Sequence, residues 1–228
     1  KTALIFFQTG GGCRASNYIF LLRKALEEMG LSFVPVISVS FAGLEKYSGF
    51  KLTLPMLLSG FASIVYGDML MLLKNQVEPY ETNKGDTEKV TQKWLANLSD
   101  GFKRRTGFSK KKILKNLSAI AKDFHEIPKT PKNLVKVGIV GEIYVKYSPF
   151  ANRGLEKFLL SEGCEIMVPG VMGFLQYCAA NVEVDHRYYG GSFIKYFIGQ
   201  KAEKILAGYD GLIEKALEDY PEFVTPAS

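Results

Sequence analysis

Two stretches of this sequence set out the same order of elements: a short apolar run, a loop, a segment of helical periodicity and a second apolar run. The first passes from residues 3–7 (ALIFF) through Gly10-Gly11-Gly12 into a segment where Tyr18, Leu21, Leu22, Ala25, Leu26 and Met29 recur at helical spacing. Ser16 or Ala15 is expected to open that helix, Gly30 to close it, and residues 33–39 (FVPVISV) to form a strand. Pro35 disfavours a central, fully paired place for that strand. The second stretch passes from residues 135–140 (VKVGIV) through the loop GEIYVKYSPFANRG (141–154) to a helix over 153–162, closed by Gly163, and a strand at 164–168 (CEIMV). Parallel strands need a crossover between them, and a helix is the usual one. The pattern therefore predicts an α/β protein with two related lobes, although no internal repeat is strong enough to prove kinship.

The chain between these stretches reads as helical. Residues 52–73 carry one charge, Asp68, and just reach the length of a membrane span. A buried helix, kinked near Gly60 and Gly67, is the better expectation, because Asp68 near the centre of a span would be costly and Pro55 sits where a first turn tolerates it. Asp86 or Thr87 is placed to cap a helix toward Arg105, and Ser109 another that reaches about Phe124. Residues 127–134 (IPKTPKNL) read as a linker. The expected organisation is a first lobe with a helical insertion (1–126), that linker, and a second lobe with C-terminal helices (135–228).

Composition narrows the class. With 228 residues, 47% of them hydrophobic, the chain is not a disordered one. Three cysteines exclude a disulfide-stapled secreted domain, and no signal peptide pattern is present, so a cytoplasmic setting is expected. Lys1 runs straight into an apolar strand, which suggests a piece of something longer. The net charge of +6 is concentrated: residues 101–136 hold eleven Lys and Arg against Asp123 and Glu126. That segment is either a solvated helix face or a docking surface for an acidic partner, with Lys110, Lys111 and Lys112 as its centre. Neither nucleic acid nor membrane is an expected partner.

Chemistry concentrates in QTGGGCRASNY (8–18). Three glycines free the backbone to turn its N–H groups on a ligand, and the following helix points its positive end there. Cys13 beside Arg14 is then favoured as a thiolate, the form that binds metal or attacks. The alternative is a tight turn with a buried, inert cysteine. The spacing is neither a dinucleotide fingerprint nor a Walker loop. The loop 141–154 offers Glu142, Tyr144, Lys146, Tyr147, Asn152 and Arg153. Its fourteen residues exceed the usual two to six of such connections, which favours binding over a plain link with an Asn-capped helix. Cys164 and Cys178 read as core, and His186 beside Asp185 as either an oriented base or a packed ring.

QTGGGCRASNY, VEPYETNKGDTE (77–88) and above all VKVGIVGEIYVKYSPFANRGLEKFLLSEGCEIMVPG (135–170) resemble the C-terminal half of proteins related to 2-hydroxyacyl-CoA dehydratase subunits and double-cubane-cluster proteins. Such proteins often carry the label of CoA-substrate-specific enzyme activases. The resemblance covers nearly the whole chain; relatives often have Pro where Gly12 stands. It implies flavodoxin-like (Rossmann-like) lobes and a low-potential electron passed to a CoA thioester or similar substrate. It also implies an iron–sulfur cluster, of [4Fe–4S] type, for which Cys13 matches a ligand, the others lying upstream of Lys1. Gly11, Gly12 and Arg14 would surround the cluster, with Glu142, Tyr144 and Asn152 lining the same crevice from the second lobe. The expected partners are an ATP-dependent activator or electron donor, or upstream domains of the same polypeptide; no ATPase motif lies in this chain. Two other readings stay open: a non-catalytic scaffold that docks the donor through its lysines, and a metal-free module that binds a small molecule.

Overall fold

The computed structural model describes residues 2–8, 13–39 and 53–225, and the chain divides into two compact units, Lys1–Thr53 and Leu54–Ser228. The protein is mixed α/β, with helices predominating and each sheet, among the described residues, a parallel pair of strands.

In the first unit β1 (Leu4–Phe7) leads to a 3₁₀ turn (Arg14–Ser16), α1 (Tyr18–Glu28) and β2 (Val36–Val39). The two strands pair in parallel, Leu4 opposite Val36 through Phe7 opposite Val39. Ile19 and Leu26 of α1 pack on Val36, with Leu4, Phe6 and Leu22 around them. The helix ends as its sequence predicts. Gly30 has φ +70°, and the Leu31 N–H reaches back to the Leu26 carbonyl at 2.7 Å, which forms a Schellman motif whose two leucines are in the same cluster. It begins later than expected, at Tyr18, because the 3₁₀ turn occupies residues 14–16.

The second unit holds α2 (Leu54–Val77), α3 (Asp86–Lys103), α4 (Lys110–His125), β3 (Val135–Gly138), α5 (Ile143–Tyr147), α6 (Leu155–Ser161), β4 (Cys164–Met167), α7 (Val171–Tyr189) and α8 (Phe193–Leu217). α2 is apolar on nearly every face, as a helix must be when others surround it. Val65, Met69 and Leu73 are fully buried against Ile113, Leu117, Ile120 and Phe124 of α4 and against Leu206 and Ile213 of α8. By length and hydropathy α2 also meets the test for a membrane span, and its inner part supplies the core of this unit. β3 and β4 pair in parallel, Val135 opposite Cys164 through Gly138 opposite Met167. Ile139, Ile166 and Val168 form a small cluster there, with Leu155, Leu159 and Leu160 against it.

The boundary differs from the expected one. Residues 127–134 lie inside the second unit: Ile127 is 5% exposed, and Lys129 bridges Glu81. Two prolines suppress periodicity without making a segment a linker, since an extended stretch can still lie on a core. Cys178 also departs from expectation: it is exposed on α7, while Cys164 in β4 is half-buried. His186 takes the packed role, stacked on Tyr196 with centroids 4.8 Å apart.

Candidate functional site

Cys13 stands at the carboxyl edge of the β1–β2 pair. Its backbone is extended (φ −78°, ψ 141°) and it caps the 3₁₀ turn, its carbonyl accepting the Ser16 N–H at 3.1 Å and the Ser16 hydroxyl at 2.6 Å. Gln8 anchors this edge: its amide donates to the Ser16 carbonyl at 2.8 Å and accepts from the Ser38 hydroxyl at 2.7 Å. One side chain thus joins the end of β1, the turn and β2. Cys13 and Arg14 are exposed. A 3₁₀ turn over Arg14–Ser16 lies in sequence between Cys13 and α1, which starts at Tyr18. Gly11 and Gly12 lie outside the described residues.

In the second unit the long loop after β3 is organised by its own polar side chains. Glu142 caps α5, accepting the Val145 N–H at 3.0 Å. Asn152 accepts the N–H groups of Gly154 at 3.0 Å and Leu155 at 3.2 Å, and so holds the left-handed pair Arg153 (φ +56°) and Gly154 (φ +72°) at the head of α6. Tyr144 is exposed. Asn152 thus closes the start of α6 from two residues before the cap position, which Gly154 occupies. The VEPYETNKGDTE segment works the same way. Glu81, rather than Asp86 or Thr87, caps α3, taking the Gly85 and Thr87 N–H groups at 2.6 and 2.9 Å. The Tyr80 hydroxyl donates to Glu165 of β4 at 2.7 Å, and this bond, with burial, pushes its pKa up to about 12.

Lys110, Lys111 and Lys112 are all exposed and form the first turn of α4, capped by Ser109. The Lys110 ammonium lies 4.9 Å from the centre of the Tyr209 ring on α8.

A cavity of about 380 Å³ opens beside the carboxyl end of β4. Asp68, the single charge of the apolar run, is 7% exposed at its edge. Its carboxylate accepts the N–H groups of Val171 at 2.9 Å and Met172 at 2.8 Å, the first two of α7. Burial raises its pKa, and these two bonds offset part of the rise. Gly170 is required by this contact, because a Cβ there would lie 2.7 Å from the Asp68 Oδ2. Lys146 of α5 enters from the loop after β3, its pKa lowered by burial and partly restored by Asp68. Asp210 and Glu214 project from α8, while Leu72, Phe174 and Ile213 supply apolar wall. The sequence signal for this site was Asp68 itself: a lone acid within a core helix has to find donors, and a helix start is where free ones are. Asp210 and Glu214, ordinary in composition, gave no such signal.

Among the described residues no three His, Cys, Asp or Glu side chains gather as a metal site. No protein-family model, curated protein or solved structure matches the chain.

Proposed function

We propose that this chain belongs to a cytoplasmic iron–sulfur electron-transfer system of the 2-hydroxyacyl-CoA dehydratase and activase type, with Cys13 as one cluster ligand. The observation that carries the reading is an exposed cysteine on the carboxyl edge of a parallel strand pair, the edge at which open α/β sheets bind their ligands. Each parallel pair is the nucleus of a flavodoxin-like lobe. The fit to a cluster is that of a single ligand: Cys13 is the one cysteine of its unit, and a [4Fe–4S] cluster takes about four. The remaining ligands come from another polypeptide or domain. A bound cluster supplies one-electron, low-potential chemistry toward a CoA thioester. Of the residues here, Cys13 would hold the iron, and Gln8 keeps its turn fixed to both strands. Gly11, Gly12 and Arg14 would favour the anionic group.

The test is anaerobic purification of the protein in its native assembly, with iron and sulfide counted and the reduced sample examined by electron paramagnetic resonance. Cys13→Ala should lose iron. Cys164→Ala should keep it and lose stability. An assembly without iron, or a Cys13→Ala variant that keeps its full complement, defeats the reading.

One observation favours a docking role for the lysines alongside it. Three ammonium groups in the first turn of α4 oppose the helix dipole, at about 0.3–1 kcal/mol each. A sequence that keeps them there against that cost is consistent with a surface for an acidic donor protein.

A further inference from the structure

We propose that the cavity beside β4 is a binding site for a small organic amine of about amino-acid size, its ammonium held by Asp210 and Glu214. Position comes first. The loops after both parallel strands converge on it: Lys146 follows β3, and Pro169 and Gly170 follow β4. Outside the carboxyl ends of parallel strands is where α/β folds place ligands. Size comes second, since about 380 Å³ lies within the range of small-molecule pockets.

Charge then selects the ligand. Asp68 is spent on the start of α7. Asp210 and Glu214 have no hydrogen-bond or ion-pair partner among the described residues, and they stand four apart on α8, where like charges repel. An ammonium between them removes that repulsion. Phe174 offers its ring to an apolar body. Lys146, which has no carboxylate within ion-pair distance among the described residues, faces the same space and suits an acid group at the other end of a zwitterion. This inference is independent of the cluster reading.

Three probes share one aromatic body and separate the charges: 2-phenylethylamine, phenylalanine and 3-phenylpropionate. Each is titrated into the full chain and followed by amide chemical shifts around Gly170 to Phe174. The amine and the amino acid should both bind, and 3-phenylpropionate should bind more weakly than either. The double variant Asp210→Asn, Glu214→Gln should weaken the amine about tenfold or more, the scale of a lost charged hydrogen bond. Removing two unpaired, mutually repelling acids leaves the fold intact, which a melting curve confirms. Lys146→Met should weaken phenylalanine and leave 2-phenylethylamine unchanged if the zwitterion is the ligand; if both hold their affinity, the site takes the simple amine. Gly173→Leu, at a helical position where a Cβ meets nothing within 4 Å, should block all binding while keeping α7. The proposal is overturned if 3-phenylpropionate binds as well as the amine, if the double variant binds the amine like wild type, or if no probe binds.

Discussion

The two strand–helix–strand stretches look alike in sequence and use their polar residues in opposite ways. In the first, Cys13 heads a turn that backbone groups, Ser16 and Gln8 hold in place, and its own side chain is exposed and closes no cap. In the second, Glu142 and Asn152 each close a helix start, and Asp68 reaches from α2 to close a third. The lesson concerns loops after parallel strands. A polar residue there is available to a ligand only when the backbone around it already has partners. In the loop after β3, Glu142 and Asn152 are used up as caps on its own short helices, and Lys146 is left facing the cavity.

The largest effect that sharpens this contrast is expected at Asp68. Asp68→Ala removes the acceptor of two N–H groups at a largely buried helix start, and should cost about 2–3 kcal/mol by urea denaturation, the scale of buried donors left unpaired. The raised pKa sets the pH dependence. A carboxyl whose folded pKa lies above its unfolded value favours folding most when protonated, so its contribution falls as pH rises through the window above 3.8. The wild type should therefore be relatively more stable at the acid end of that window, measured against Asp68→Asn. A larger advantage at neutral pH would mean that the two N–H bonds outweigh burial.

Next comes the comparison between the loops themselves. Asn152→Ala should cost about 1–2 kcal/mol, as lost caps do, and Glu142→Ala about 1 kcal/mol, while Cys13→Ala should leave the urea midpoint nearly unchanged. If Cys13→Ala destabilises as much as Asn152→Ala, the difference between the two stretches disappears. A stable Asn152→Ala protein would return that residue to the pool of ligand candidates.

Much of the first unit was readable because its signals are local. Gly30 needs positive φ, the apolar run at residues 3–7 meets the one at 33–39 across a helix, and Leu26 and Leu31 close the Schellman motif. In the second unit Ser109 and Gly163 were readable for the same reason. What escaped depends on contacts remote in sequence. Glu81 takes over the cap expected of Asp86 or Thr87 by reaching across a turn. Asp68 meets α7 more than a hundred residues away, and no period in either segment announces it. The boundary at 127–134 failed because composition reports on local stiffness, whereas Ile127 is held by a core built elsewhere. The Gly-rich turn with Cys13 stood out in the sequence, though not the exposure of its side chain, and the cavity beside β4 did not, since three of its four charged groups come from helices separated from the loop.

A smaller effect tests how the second sheet is tied to its helices. Tyr80→Phe removes a hydroxyl donating to Glu165, which keeps Lys136 as its other partner at 3.1 Å, and should cost about 1–1.5 kcal/mol at pH 8. The Tyr80 pKa is raised to about 12, so this stabilisation is complete below the ordinary tyrosine value near 10. It is lost as pH climbs through 12. The stability gap between wild type and Tyr80→Phe should hold from pH 7 to about 10 and narrow above it. A gap that stays constant to pH 12 would show that the hydroxyl acts by packing alone.

The smallest effect is the one that extends the contrast to a helix start which is capped and still carries uncompensated charge. Ser109 satisfies the Lys112 N–H, yet Lys110, Lys111 and Lys112 put three cations on the positive pole of α4. Lys110 recovers part of that cost from the Tyr209 ring, and Lys111 has no such contact among the described residues. Lys111→Glu replaces repulsion with attraction at the dipole and should stabilise the protein by about 0.5–1 kcal/mol, a rise of about 1–4 °C in melting temperature for a chain of this size. The gain should shrink in high salt, because the charge is exposed and screened. A polar group that opposes its own helix and is kept there has the character of Cys13: it does nothing for the fold. If Lys111→Glu stabilises the protein and weakens its hold on an acidic partner, the two properties part in one substitution. If it destabilises the protein, Lys111 belongs with Asn152 and Glu142 among the residues that the fold itself requires.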